Sequence, residues 1–226
     1  MLHSLNMTKK HPISLTKQDV IEAAITLADS GGFEQLSMRK LGSKLGVEAM
    51  AFYYHFANKN QLVEAMIDYV HAEIELPANK SNWKLAMRKR AKSAFNALSR
   101  HPWAASIMES SIAPGSATLK DSEYMLSCFR EAGFSIKMSV HAVTVLNIYI
   151  YGAAQQYTKL SFSNTEQAAE VGQAVMQQFT ADAYPYLAEM ITEHMLKSSY
   201  NAVDEFNFGL DLVLDGLAKL AENNNE

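Results

Sequence analysis

The chain has 226 residues and a formal net charge of −4, with 48% hydrophobic and 19% charged residues. This balance is typical of a well-packed folded protein and excludes an intrinsically disordered one. No apolar run approaches the ~18 residues of a membrane-spanning helix, and the first residues lack the apolar core of a secretion signal. A single cysteine, Cys128, excludes an internal disulfide, so we expect a cytoplasmic protein.

The spacing of apolar residues predicts helices along most of the chain, and no alternating pattern indicates a strand, so we expect an all-α fold. Residues 1–14 are polar and lack this periodicity, which indicates a flexible tail. The first helix should begin after the N-cap Thr16, with Asp19 placed to complete a capping box. Gly31 and Gly32 should end it.

Residues 37–59, SMRKLGSKLGVEAMAFYYHFANK, predict two short helices joined by a sharp turn. Ser37 is a good N-cap for the first helix, and Gly46 should end it because glycine readily adopts the left-handed conformation. The second helix should bury Phe52 and Phe56, which lie four residues apart on one face. This arrangement is typical of a helix-turn-helix, although structural helical hairpins share it.

The other face of the second helix carries groups suited to DNA. Small or slender side chains such as Ala49 and Met50 fit a major groove about 12 Å wide. Tyrosine hydroxyl, imidazole and basic groups can reach phosphates. An ordinary hairpin with its tyrosines packed inwards is the alternative.

Residues 16–74 resemble the DNA-binding region of the tetracycline-repressor (TetR) family through SMRKLGSKLGV, FYYHF and NKNQLVEAM. The resemblance implies that Tyr53, His55 and Lys59 contact phosphates and that residues 49–51 face bases. Family members often have polar residues in that first turn, whereas this chain offers bases no side-chain hydrogen bond there. The predicted DNA contacts are Ser37, Arg39, Ala49, Met50, Ala51, Tyr53, Tyr54, His55 and Lys59.

Charge is distributed unevenly along the chain. Residues 1–60 hold seven basic and five acidic side chains, so the acidic excess lies in the remainder. A modestly basic head on an acidic body is compatible with DNA binding, because the local field matters more than the total charge. The basic run at residues 88–92 is either a second nucleic-acid patch or a solvated helix face, since its helix also has an apolar side.

The rest of the chain predicts a helical body, joined to the head by a helix that is capped by Asn58 and ends near Leu76. Further helices are expected over residues 83–99, 103–111, 119–132, 135–158, 181–198 and 204–221, with residues 159–169 loose. The last helix carries apolar residues around most of its circumference, which indicates that a partner chain buries part of it.

A looser resemblance covers the all-helical C-terminal domain of the tetracycline repressors, through GFS at residues 133–135 and FGLDLVLDGL. It implies a four-helix bundle with a second subunit, expected to be held by residues 181–221, and middle helices around an inducer. Met108 and Gln156 stand where that family chelates magnesium with histidine and glutamate. This difference argues against a magnesium–tetracycline ligand, and we expect no cofactor or metal.

The middle helices supply aromatic and thioether groups with few charges. Most residues of this kind simply form a core, but a cavity lined by them would suit a largely apolar or aromatic molecule. The predicted effector-binding residues are Trp103, Met108, Met125, Phe129, His141, Ile148, Tyr149 and Gln156.

The sequence shows no glycine-rich phosphate loop, nucleophile motif or metal-spaced His/Cys cluster, so we expect no enzymatic activity. We expect a homodimeric repressor that a small molecule releases from a palindromic DNA operator. A constitutive DNA-binding regulator without an inducer is the alternative. The expected organisation is a flexible tail at 1–14, a helix-turn-helix DNA-binding domain at 15–60, a connecting helix at 61–78 and a ligand-binding and dimerisation domain at 79–226.

Overall fold

The computed structural model of the chain describes residues 15–48, 50–108, 112–159, 165–196 and 201–223. Within these ranges the chain forms ten α-helices and no β-strand, which confirms the predicted all-α fold. Short 3₁₀ turns follow α1 and α5, at Phe33–Gln35 and Ala104–Ser106, and α9 continues as a π-helical turn over Ile191–Met195. The helices are α1 Lys17–Gly31, α2 Met38–Leu45, α3 Met50–Tyr53, α4 Lys59–Ala72, α5 Trp83–Arg100, α6 Ser116–Glu131, α7 Ile136–Lys159, α8 Thr165–Met176, α9 Pro185–Met190 and α10 Ala202–Asn223.

Helices α1 to α3 and the start of α4 form the head around one small core. The predicted capping box is present at the start of α1. The Thr16 hydroxyl accepts a hydrogen bond from the Asp19 amide at 3.1 Å, and the Thr16 amide donates to Asp19 Oδ2 at 2.8 Å. The hydrogen bonds from Thr16 lower the pKa of the Asp19 carboxyl. Buried residues of the head include Val20, Ala24, Leu41, Phe52, Phe56 and Leu62.

The turn after α2 has the predicted geometry. The Ser37 hydroxyl accepts a hydrogen bond from the Lys40 amide at 3.2 Å, and Gly46 has φ 68° and ψ 27°. Most other residues at position 46 would cost about 1 kcal/mol in this left-handed conformation. α3 is shorter than predicted, since it comprises only Met50–Tyr53, and Phe56 reaches the core from beyond its end.

Two helices of the body differ from their predicted bounds. α4 ends at Ala72 rather than near Leu76. α6 begins at Ser116, three residues before the predicted Leu119, because Asp68 of α4 satisfies its first turn. Asp68 Oδ1 accepts hydrogen bonds from the Thr118 amide at 2.8 Å and from the Thr118 hydroxyl at 3.0 Å.

Three other segments also differ. The helix expected over residues 181–198 begins only at Pro185, as α9 and the π-helical turn. α8 occupies Thr165–Met176, part of which was expected to be loose. It packs against the π-helical turn, so a tertiary contact stabilises this helix. Of the short helix expected over residues 103–111, the structure shows the 3₁₀ turn Ala104–Ser106, and residues 109–111 lie outside the described ranges.

A buried ion pair lies in the centre of the body. Arg90 of α5 and Asp121 of α6 are 1% and 2% exposed, and Arg90 Nε donates to Asp121 Oδ1 at 2.9 Å while Nη2 donates to Oδ2. His71 of α4 donates from Nδ1 to Asp121 Oδ2 at 3.1 Å, and Arg90 Nη1 donates to Asn147 Oδ1 of α7 at 3.3 Å. One polar cluster therefore joins four helices.

The basic run at residues 88–92 is thus not a uniform solvated face or nucleic-acid patch. Arg90 is buried in the ion pair, and Arg88 donates to both carboxylate oxygens of Asp211 in α10, at 2.6 and 2.9 Å. Lys84, one turn earlier, pairs with Asp215. The basic side of α5 therefore serves mainly to hold other helices of the body.

Asp121 should make the free energy of unfolding depend on acidic pH. Burial alone would raise the pKa of its carboxyl, but the hydrogen bond from His71 and the charge of Arg90 outweigh burial and lower the pKa from 3.8 to about 2. The ionised form therefore stabilises the fold by roughly 2 kcal/mol, a contribution present above about pH 4 and lost as the pH falls towards about 2.

Thermal unfolding between about pH 5 and pH 2 should show this loss, and Asp121→Asn should flatten that part of the profile. At neutral pH, Asp121→Ala should destabilise the protein by about 3–5 kcal/mol, because it leaves Arg90 buried without its partner. Glu123→Gln removes an exposed carboxylate from the same helix and should retain the parent profile. An Asp121→Asn protein with the parent's acid dependence would contradict this assignment.

Candidate nucleic-acid interface and head–body junction

The outer side of the head is formed by α3 and the turn that follows it. Tyr53 is 47% exposed and Tyr54 is 90% exposed, with Ala51 also exposed. An ordinary structural hairpin would pack these tyrosines inwards, and this head does not. Ala49 and the side chain of Met50 lie outside the described residues.

His55 makes a contact within the head itself. Its ring is half-buried, and Nε2 donates a hydrogen bond to the backbone oxygen of Leu15 at 2.8 Å. The edge of the ring also meets Tyr54, with the ring centroids 5.4 Å apart. Leu15, two residues before α1, is therefore held against the turn that follows α3. The phosphate contact predicted for His55 would have to use its other ring nitrogen.

The two basic side chains among the predicted DNA contacts are exposed. Arg39 is exposed on α2, where Ser37 already uses its hydroxyl as the N-cap. Lys59 is exposed at the start of α4, and its ammonium lies 5.2 Å from the centroid of the Phe33 ring. An exposed cation–π contact contributes only ~0.5–1 kcal/mol. Lys59 can therefore exchange this contact for a DNA phosphate at little cost.

A polar junction between head and body was not predicted. His101 follows α5 and is buried between two carboxylates: Nδ1 lies 2.9 Å from Asp29 Oδ1 of α1, and Nε2 lies 3.3 Å from Glu73 Oε1 just beyond α4. Trp103 Nε1 donates to the same Asp29 oxygen at 2.6 Å. Arg100 donates to Glu73 from Nε at 3.2 Å. These contacts hold the first helix of the head, the end of α4 and the end of α5 together.

The sequence signal for this junction was a pair of hydrogen-bond donors placed directly after a helix. His101 and Trp103 flank Pro102, and of the two the sequence assigned a role only to Trp103, as an effector-binding residue. Their shared partner, Asp29, is 72 and 74 positions away along the chain, which no local pattern reveals. Burial would raise the pKa of Glu73, but the hydrogen bonds from Arg100 and His101 outweigh it and lower that pKa.

The structure does not bring the eight predicted effector-binding residues together. Trp103 lies at the head–body junction, and Met108 is buried nearby in the chain. Met125 and Phe129 belong to the closed core of the body, where the Phe129 ring packs against Trp83 with centroids 5.5 Å apart.

The remaining four predicted effector residues belong to α7. The row Ala142, Leu146 and Ile150 faces the core. Tyr149 is half-buried, and its hydroxyl donates to the backbone oxygen of Phe206 at 2.8 Å. The other three residues are His141, Ile148 and Gln156. They were predicted to line a cavity in the body, but the structure corrects this prediction because all three are exposed to solvent.

Family models match both parts of this molecule. Residues 20–66 match the model of bacterial regulatory proteins of the tetR family, and residues 76–221 match the tetracyclin repressor-like C-terminal domain. The chain belongs to the TetR family. This TetR protein is therefore a DNA-binding transcriptional regulator rather than an enzyme. No helix among its described residues combines the length and apolar character that crossing a membrane requires.

Known proteins resemble this TetR protein over most of their length. The repressor DrrR1 of Streptomyces coeruleorubidus is 30% identical over 216 residues, covering 92% of this chain and 78% of that protein. The class A tetracycline repressor from transposon 1721 of Escherichia coli is 28% identical over 222 residues, covering 94% and 93%. ActR from Streptomyces coelicolor, solved in complex with actinorhodin, shares the fold with a TM-score of 0.73 at 20% identity, covering 92% of this chain and 98% of that one.

Lys59→Ala should weaken DNA binding by a similar factor on every duplex, because an ammonium contacts phosphates and not base edges. The slope of log affinity against log salt should decrease by about one. Fluorescence anisotropy on a selected duplex and a scrambled one measures both quantities. Lys120→Ala removes the same charge from an exposed site on α6 and should change neither. Altered sequence preference at unchanged affinity would count against a phosphate contact.

Proposed function

We propose that this TetR protein is a homodimeric repressor that binds a palindromic operator and releases it when a small, largely apolar or aromatic molecule binds to the body. The observation that carries the proposal is the exposed tyrosine and lysine surface of a head that matches the family's DNA-binding model. Because the proposed operator is DNA, the proposed site of action is the cytoplasm.

Recognition of DNA requires two copies of the head. A single α3 covers only a few base pairs, whereas a two-fold dimer presents two such helices to successive major grooves, about 34 Å apart on one side of the duplex. The operator should therefore be a palindrome. In the proposed complex Tyr53, Tyr54 and Lys59 contact phosphates, and residues 49–51 face the bases.

The dimer interface is proposed from the exposed faces of α7 and α10, which pack against each other within one chain. Gly209 permits this close packing, because a Cβ at that position would overlap the Tyr149 ring. α10 buries one row of apolar residues, Phe206, Leu210, Leu214 and Leu217.

A second apolar row on α10 is left uncovered within one chain. Phe208 is 68% exposed and Leu212 is 59% exposed, and Ile148 on the neighbouring helix α7 is 64% exposed. Covering each large apolar side chain contributes about 1.5–3 kcal/mol, and a two-fold axis would cover the same strip on both chains. The interface first expected over residues 181–221 therefore gains α7 in this proposal.

Leu212→Glu should break the dimer, because it places a charge in the middle of this strip. Light scattering should give twice the chain mass of 25.1 kDa for the parent and the single mass for the variant. Tight operator binding should be lost with the dimer. Leu119→Glu makes the same change at an exposed leucine of α6 and should remain dimeric. A monomeric parent protein would overturn the proposed assembly.

The class of effector follows from the body's side chains. A ligand that opened a space among the core residues Trp83, Phe129, Phe134, Met125 and Met108 would meet apolar, polarisable groups, which suit an aromatic compound. ActR, which shares the fold, was solved with actinorhodin. A magnesium-chelated ligand is not proposed, because the thioether of Met108 is a soft group and magnesium prefers oxygen ligands.

An effector can release the protein from DNA only if it binds more tightly to the conformation in which the two heads no longer fit the operator. The coupling free energy between effector binding and DNA binding is typically ~1–3 kcal/mol. A panel of polycyclic aromatic compounds should include some that raise the thermal midpoint, and these should weaken operator affinity by about 5- to 150-fold. A neutral panel compound that does not stabilise the protein is the control. Ligands that stabilise the protein while operator affinity stays constant would favour the constitutive alternative.

A further inference from the structure

A cleft of about 410 Å³ lies on the seam between the head and the body. Its head side is formed by the end of α1 and the following 3₁₀ turn, with Asp29, Phe33 and Glu34 in the lining. Its body side includes Trp103 and Gln155. The volume falls within the roughly 300–1,000 Å³ typical of small-molecule sites. No predicted DNA contact lines it, and of the predicted effector residues only Trp103 does.

Two aromatic rings shape the interior of the cleft. Phe33 and Trp103 lie nearly parallel, with an interplanar angle of 19° and ring centroids 6.3 Å apart. Trp103 is 5% exposed, so it forms a wall, whereas Phe33 is half-buried and leaves part of its ring open. Flat apolar surfaces of this kind favour a planar aromatic group in an offset stack.

The charge of the lining selects among aromatic ligands. The described lining residues include two carboxylates, Asp29 and Glu34, and no basic side chain. Asp29 already accepts hydrogen bonds from His101 and Trp103, but its side chain is still 30% exposed to solvent. Glu34 is exposed. Carboxylates beside an aromatic wall favour a cation, through both a charge-assisted hydrogen bond and a cation–π contact.

We propose that this cleft binds a planar aromatic compound that carries a protonated amidine or amine, at a site separate from the interior of the body. The aromatic group packs on Phe33, and the cation binds Asp29 and Glu34. The binding itself does not depend on the function proposed above, whereas its regulatory consequence does.

The consequence follows from the position of the cleft. Its lining comes from both head and body, so a bound ligand favours arrangements in which the two stay together. Phe33 also contacts the ammonium of Lys59, a predicted phosphate ligand, at 5.2 Å. Occupancy of the cleft therefore changes operator affinity through the setting of the head and through the surroundings of Lys59.

The chain contains a natural probe for this site. It has two tryptophans, Trp83 and Trp103, so Trp83→Phe leaves the indole of the cleft as the only one. Benzamidine should change the Trp103 emission saturably, and benzamide, which has nearly the same shape without the charge, should bind at least about tenfold more weakly. Equal binding of the two compounds, or no saturable change with benzamidine, would overturn the proposal.

Two variants separate the contacts within this background. Glu34→Gln should weaken benzamidine several-fold and leave benzamide unchanged, while Phe33→Leu should weaken both compounds. Glu123→Gln removes an exposed carboxylate from α6, outside the cleft, and should have no effect. Operator binding is measured in the same protein without benzamidine. A protein that binds its operator but not benzamidine refutes the cleft site alone, and one that binds only benzamidine refutes the proposed function alone.

Discussion

The buried contact between Arg90 and Asp121 constrains the rest of this structure. An unpaired charge in a protein interior costs several kcal/mol, so each of these groups requires the other. Both therefore require α5 and α6 to keep their mutual register. His71 donates to the same carboxylate, which brings the end of α4 into the cluster. The position of the connecting helix is thus fixed from inside the body.

The connecting helix has further polar contacts along its length. Glu64 Oε1 accepts a hydrogen bond from the Ile112 amide at 3.0 Å, and Asp68 caps the start of α6. Glu73, just beyond the helix, contacts His101, which in turn binds Asp29 of the head. A ligand that displaced α5 or α6 would therefore change α4, and with it the head. These contacts could transmit a movement of the body to the head in the proposed switch, because each of them joins α4 or Glu73 to a named residue of the body or the head.

The head was largely predictable from sequence, because its signals act over three or four residues. The caps at Thr16 and the turn at Gly46 are examples of such local chemistry. The body was less predictable. Arg90 resembled a solvated residue of a basic run, since its partner lies 31 positions away in another helix. His141 was expected on an inward face, but α7 is apolar on several sides and periodicity alone does not identify the covered one.

The central claim is that the buried contacts of α4 set the position of the head. Measuring the distance between the two heads of the dimer tests this claim most directly. A spin label at Lys44→Cys, exposed near the end of α2, would report this distance by double electron–electron resonance in a Cys128→Ala background. We expect one narrow distance distribution for this protein and a broad one after His71→Ala, which removes the contact to Asp121. An unchanged distribution in the His71→Ala protein would contradict this role of the buried cluster, and the absence of any dipolar signal would contradict the dimer.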